Sequence, residues 1–164
     1  MATNIYIKFE GPEAKGESTV KNHKDQIEVL SWSHGFSQPT SPTRSTAGSG
    51  TVEKANHSDF SFTKYLDSST DDILKICWAG DQVDKVTLEA YRADKADVAY
   101  LTIEMEKVIV SSVSVSGGGG DLPIENVSLA YAKVTYTYVP QKKEDGTGGA
   151  KEPVSQDLAT NEEA

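Results

Sequence analysis

The sequence predicts a mainly β protein: a small β-barrel of two curled antiparallel sheets, with one short flanking α-helix at about residues 70–79. Three observations predict it. Most apolar residues recur with period two, the spacing that puts alternate side chains on one face of a strand. In the two longest such runs the phase slips midway, as it does where a bulge or bend turns a strand toward closure. And one stretch, Ser58 to Gly80, hands over from strand to helix periodicity.

Ile5, Ile7 and Phe9 alternate with Tyr6, Lys8 and Glu10 in an opening strand. The loop that follows, Gly11 to Ser18, comes one residue from a phosphate-binding loop, but Glu17 stands where that motif needs its Lys and would repel phosphate. It reads as a surface loop. Ile27 to Phe36 is the second strand, with bulky Leu30, Trp32 and Phe36 directed to the core and small Ser31 and Ser33 directed out. His34 reads as a satisfied structural histidine, since His23 and His57 lie at no metal-ligand spacing from it. Gln38 to Asn56 is a long Pro, Ser, Thr and Gly insertion, either a protruding arm or a surface loop.

In the pivotal stretch, Phe60 and Phe62 alternate with Ser61 and Thr63. Then Ser68, Ser69 and Thr70 offer N-cap hydroxyls, and Asp71 and Asp72 suit the positive end of the helix dipole. Ile73, Leu74, Cys77 and Trp78 share one helical face, and Gly80 is the stop. A helix of about three turns is marginal alone and must be held by packing on a sheet. Val86, Leu88 and Ala90 form a further strand. Leu101, Ile103 and Met105 keep one phase, Val108 and Val110 the other, and Val113 and Val115 return to the first; Val127, Leu129 and Tyr131 likewise give way to Val134, Tyr136 and Tyr138. Gly117 to Gly120 connects these two runs. Residues 1–140 thus form a single domain, and 141–164, without periodicity or bulky apolar residues, read as a flexible acidic tail.

The net charge of −9, with no basic stripe, argues against nucleic acid. No run of apolar residues reaches the roughly 18 needed for a membrane span, and Met1 to Glu10 lack a secretory signal, so a soluble protein made in a reducing compartment is expected. Without that signal the tripeptides Asn56-His57-Ser58 and Asn126-Val127-Ser128 carry no weight as glycosylation sites. The sequence holds no GxSxG, no HExxH, no Cys paired with a His and no complete Walker loop, which argues against an enzyme, and it offers no cofactor or metal set. The single Cys77 reads as a core thiol.

Several segments, taken together, are similar to one family. Gly16-Glu17-Ser18 with His23, then IEVLSW from Ile27, DFSFTKYLDSST from Asp59, VIVSSVS from Val108, and ENVSLAYAKVTYTY from Glu125 followed by Pro140-Gln141, resemble the haemolysin-coregulated protein family, Hcp, of type VI secretion systems. The insertion from Gln38 to Asn56 and the tail depart from that pattern.

The resemblance implies a β-barrel with a flanking helix and a homohexameric ring around a wide channel. It also implies rings stacked into an inner tube that a contractile sheath expels together with the spike protein VgrG. Sheath and baseplate proteins and small secreted effectors carried in the lumen are the implied partners. Assembly in the bacterial cytoplasm is followed by export to the extracellular space or a target cell. On this reading Ser31 and Ser33 are candidates for lining the lumen, beside the alternative of an ordinary solvated strand face. Gln38, Pro39, Pro42, Arg44, Gly48, Gly50, Glu53 and Lys54 are the candidate ring-stacking loop. A bacteriophage-type tail-tube protein and a stand-alone β-barrel binding module are the neighbouring readings.

Overall fold

A computed structural model describes residues 4–39, 54–92, 98–140, 153–160 and 162–163. The chain forms β1 (Ile5–Glu10), β2 (Ile27–Glu28), β3 (Ser31–Ser33), β4 (Phe36–Ser37), β5 (Asn56–His57), β6 (Phe60–Tyr65), α1 (Ser69–Ala79), β7 (Gln82–Tyr91), β8 (Ala99–Ser116), β9 (Ile124–Ala130), β10 (Lys133–Tyr138), β11 (Val154–Asp157) and β12 (Glu162–Glu163). All pairings are antiparallel.

The architecture turns on β8. At about 3.3 Å per residue its 18 residues would run straight for about 60 Å, too long for one layer of a domain this size. It bends instead, and each predicted phase slip has a local cause. Between Met105 and Val108 the strand passes through Lys107 at φ 53°, and β7 slips in step, its buried residues passing from Val83 to Val86. At Ser111 the register with β9 shifts by one residue, a bulge. The first half of β8 therefore lies between β7 and β10, and the second half pairs with β9. One layer runs β12-β11-β10-β8-β7-β1-β2, and the other consists of the end of β8 with β9, β6 and β3.

The barrel is not closed by an uninterrupted ladder. The predicted single strand from Ile27 to Phe36 is split, because its backbone changes partners: Val29 N–H donates to Ile5 O in one layer (3.0 Å) and Leu30 N–H to Thr63 O in the other (2.8 Å). Between the layers lies the core of Ile7, Phe9, Ile27, Val29, Phe60, Phe62 and their neighbours. Phe36, expected inside, is 53% exposed at the base of the insertion.

The helix differs from its predicted face. Ile73 and Ile76 are buried against the sheet, while Cys77 is half-buried and Trp78 is 80% exposed. Ile76 is three residues from Ile73, so the buried stripe passes on the other side of Trp78. The N-terminal cap comes from none of the predicted hydroxyls. Asp67 Oδ1 accepts the Ser69 N–H at 2.9 Å, whereas Gly80 closes the helix as expected at φ 68°.

Of the predicted flexible tail, 141–164, residues 153–160 and 162–163 depart from expectation, and the rest lie outside the described residues. Val154–Asp157 pairs with β10, Gln156 opposite Val134 and Val154 opposite Tyr136, and Leu158 N–H donates to Ala132 O at 2.7 Å. The segment VSQD has too few apolar residues to signal a strand, and the free edge of β10 supplies what its own sequence lacks.

Candidate functional site

The two layers present opposite chemistry to the outside. On the larger one, register aligns Glu10, Lys85, Glu106, Lys133 and Asp157 in one row across five strands, with charges alternating in sign. On the smaller one, two rows of four carry no charge. Ser33, Ser61, Ser128 and Ser112 form the first, and Ser31, Thr63, Asn126 and Ser114 the second. Their inward neighbours Phe60, Phe62, Val127 and Leu129 are fully buried or nearly so, which fixes the register, because a slip of one residue would turn the apolar set to solvent. Hydroxyls and amide pair across the strands: Ser61 Oγ lies 3.0 Å from Ser128 Oγ, and Thr63 Oγ1 donates to Asn126 Oδ1 at 2.7 Å. The result is a wall of short, neutral side chains, four of the eight paired with one another.

Ser31 and Ser33, singled out by sequence, are both exposed on this wall. The other six positions were legible only as polar alternates of separate strands; pairing assembles them. Beyond the second row the chemistry changes to Tyr65, Ile124 and Ser116, beside Leu122, which is 66% exposed. Of the candidate stacking loop, Gln38 and Lys54 are exposed and Pro39 is half-buried, whereas Pro42, Arg44, Gly48, Gly50 and Glu53 lie outside the described residues.

At the base of that insertion His34 lies between two phenols. One is Tyr136 on β10, bonded through Nδ1; the other is Tyr131, whose hydroxyl is 2.7 Å from Nε2. Burial, and next the adjacent His57, push His34 down to about 4. Burial raises Tyr136 to about 12 and, with Tyr136 and Asp59 adding to it, raises Tyr131 further. At the opposite end of β6 a buried ion pair fastens the helix start: Lys64 Nζ is 2.8 Å from Glu125 Oε2 and 3.0 Å from Asp67 Oδ1. The Gly16-Glu17-Ser18 segment ties into the same region. Gly16 packs so closely on the strand beneath that a Cβ would sit 2.7 Å from Ile27 Cα, and Glu17 Oε1 accepts the Ser68 hydroxyl at 2.6 Å. No group of three or more His, Cys, Asp or Glu among the described residues is placed to hold a metal ion. No described helix is long and apolar enough to cross a membrane.

A two-layered antiparallel fold with one flank helix, a neutral hydroxyl wall and exposed apolar side chains at its margins defines a class of β proteins built to contact other chains. Known proteins narrow that class. Residues 6–138 match the family described as "Type VI secretion system effector, Hcp". The chain is 38% identical over 151 residues to Protein hcp1 of Pseudomonas aeruginosa, covering 91% of each. A solved structure of a type six secretion system protein superposes with a TM-score of 0.87 at 30% identity, covering 99% of this chain and 100% of the other. Hcp1 from Salmonella typhimurium gives 0.79 at 28% identity, with 100% of both chains covered. The chain belongs to the Hcp family, the self-associating, secreted tube proteins of type VI secretion systems.

Proposed function

We propose that six copies of this chain close a ring with the hydroxyl-lined sheet facing its channel, and that such rings stack into the tube that carries small effectors outward. The observation that carries this reading is the pair of uncharged four-residue rows on a protein of net charge −9. Short neutral side chains keep a channel wide. Because Ser61 already pairs with Ser128 and Thr63 with Asn126, these side chains hold passing polypeptide weakly.

Ring closure needs a heterologous interface, one patch meeting a different patch on the next copy. Trp78 on the helix flank is the largest exposed apolar side chain, and Leu122 with the 45% exposed Tyr65 forms a separate apolar margin. The loop containing Gln38, Pro39, Pro42, Arg44, Gly48, Gly50, Glu53 and Lys54 is the reading for contact between stacked rings. VgrG at the tip, with the surrounding sheath and baseplate, are the partners of assembly in the cytoplasm, and release follows into the medium or a target cell. The polypeptide acts as structure in this scheme, with no catalytic step assigned to it.

Solution mass by light scattering, with negative-stain microscopy of the same sample, tests the ring. A species near six subunits with a central hole is expected, and a monodisperse monomer at all concentrations would overturn it. Ser61→Trp and Ser128→Trp test the wall: rings of unchanged mass should lose effector retention or export. Normal export by rings carrying both substitutions would remove the wall from the channel.

A further inference from the structure

The histidines and tyrosines at the base of the insertion form one continuous hydrogen-bonded chain. It runs from Tyr136 OH to His34 Nδ1, from His34 Nε2 to Tyr131 OH at 2.7 Å, from Tyr131 OH to His57 Nδ1 at 2.7 Å, and from His57 Nε2 to Gln156 Oε1 at 2.6 Å. It spans three parts of the fold: the base of the insertion on both sides (His34 and His57), the β9–β10 corner with β10 (Tyr131 and Tyr136), and β11 (Gln156). The first two fall within the part of the chain that matches the family, 6–138, and Gln156 falls outside it.

With both imidazoles neutral the chain closes in one direction; with one of them protonated every link can still be made, and only the doubly protonated state breaks it. Gln156 Oε1 accepts, so His57 Nε2 carries the proton and His57 Nδ1 accepts from Tyr131; the Tyr131 oxygen then accepts from His34 Nε2–H, and His34 Nδ1 accepts from Tyr136. A proton added at His34 turns its Nδ1 into a donor and displaces the Tyr136 hydroxyl hydrogen. Protonation of both imidazoles leaves Tyr131 facing two N–H groups with its own hydrogen unplaced, and puts two cations across one phenol. The rings of Phe36 and Phe60, with centroids 4.4 and 5.5 Å from that of His34, limit the water that would screen them.

We propose that this chain is a proton-sensitive clasp that fastens the base of the 38–56 insertion and the C-terminal strand β11 to the body of the protein, and that acid opens it. Among the described residues, the titratable and charged groups facing His34 are His57 at β5, Asp59 in the link to β6, Tyr131 at the β9–β10 corner and Tyr136 on β10. His57 opposes a charge on His34. Asp59 favours one, but its carboxylate accepts the Ser111 hydroxyl at 2.6 Å. Burial outweighs Asp59, and His34 is held at about 4, below its ordinary 6.5. A histidine depressed in this way stabilises the closed clasp fully above pH about 6.5, and that contribution is lost as pH falls through the interval toward 4. Beyond its four-residue ladder on β10 and the Leu158 N–H bond to Ala132 O, little among the described residues holds β11. Val154 is 69% exposed, and β12 pairs with it over only two residues. The proposal concerns a single chain and stands apart from the ring reading.

Amide hydrogen exchange of the full chain at pH 7 and pH 4, corrected for intrinsic rates, tests it. Protection of residues 153–158 and 56–58 is expected to fall by about tenfold or more at pH 4, while β7 keeps its protection. In His34→Phe the protection of 153–158 should lose its pH dependence. A proton NMR titration of the His34 ring in the unaltered protein gives a readout independent of that variant's folding, with its midpoint expected to track the loss of β11 protection. Equal protection of 153–158 at both pH values overturns the clasp. So does loss of β7 in parallel with β11, or undiminished pH dependence in His34→Phe.

Discussion

Replacing Lys64 by Met should cost the fold several kcal/mol, and the structure says why. The Lys64 ammonium is fully buried and meets four oxygens: Glu125 Oε2 at 2.8 Å, Asp67 Oδ1 at 3.0 Å, Thr70 Oγ1 at 3.1 Å and Tyr65 O at 3.2 Å. Glu125 is equally buried, and its Oε1 has no hydrogen-bond partner among the described residues. Met fills the volume but removes the only cation that faces the two carboxylates among the described residues. Breaking a buried pair from one side costs about 3–5 kcal/mol, mostly the penalty of an uncompensated buried charge. At about 2–4 °C per kcal/mol for a chain of this length, the midpoint should fall by about 6–20 °C. Thermal and urea unfolding at matched protein concentration measure this, since self-association itself raises apparent stability. The double replacement Lys64→Met, Glu125→Met should recover most of the loss, because apolar groups of similar volume replace such pairs at little cost. A single variant within 1 kcal/mol of the parent would refute the reasoning. So would a double variant that falls as far as the single.

Three further outcomes follow from other parts of the molecule. Gly16→Ala should destabilise by about 1–3 kcal/mol in urea unfolding, since its Cβ would lie 2.7 Å from Ile27 Cα. Trp78→Ala should leave the unfolding free energy of the dissociated chain in urea within about 0.5 kcal/mol, because the side chain is 80% exposed, yet lower the mass measured by light scattering. A hexamer of chains at −9 each carries −54, so ring stacking followed by light scattering should increase with ionic strength; stacking that improves at low salt would contradict the electrostatic account.

The phase slips at Val108 and at Val134 were legible because bulky apolar residues advertise which side of a strand is buried; the first marks a bend within β8, and the second marks a break, since the single bent strand expected from Val127 to Tyr138 is two strands, β9 and β10, in different layers. Gly80 was legible because a left-handed stop favours glycine. Trp78 misled because its residue type favours burial; its exposure depends on which helical stripe the sheet receives, and only packing sets that. The strand β11 was hidden because its stability comes from the edge of β10, some twenty residues away in sequence, and not from its own composition.

Taken alone, the amino-acid sequence determined the strand periods, the helix and its stop, the acidity, and the segments that mark the family. These are local properties, written in side-chain size, charge and spacing. Tertiary structure decided which strands pair, and so gathered Ser31, Ser33, Ser61, Thr63, Ser112, Ser114, Asn126 and Ser128 into one neutral wall. It also joined His34, Tyr131, His57 and Gln156 across more than a hundred residues. Registry between distant strands follows from burying a common core, and no single segment carries that information.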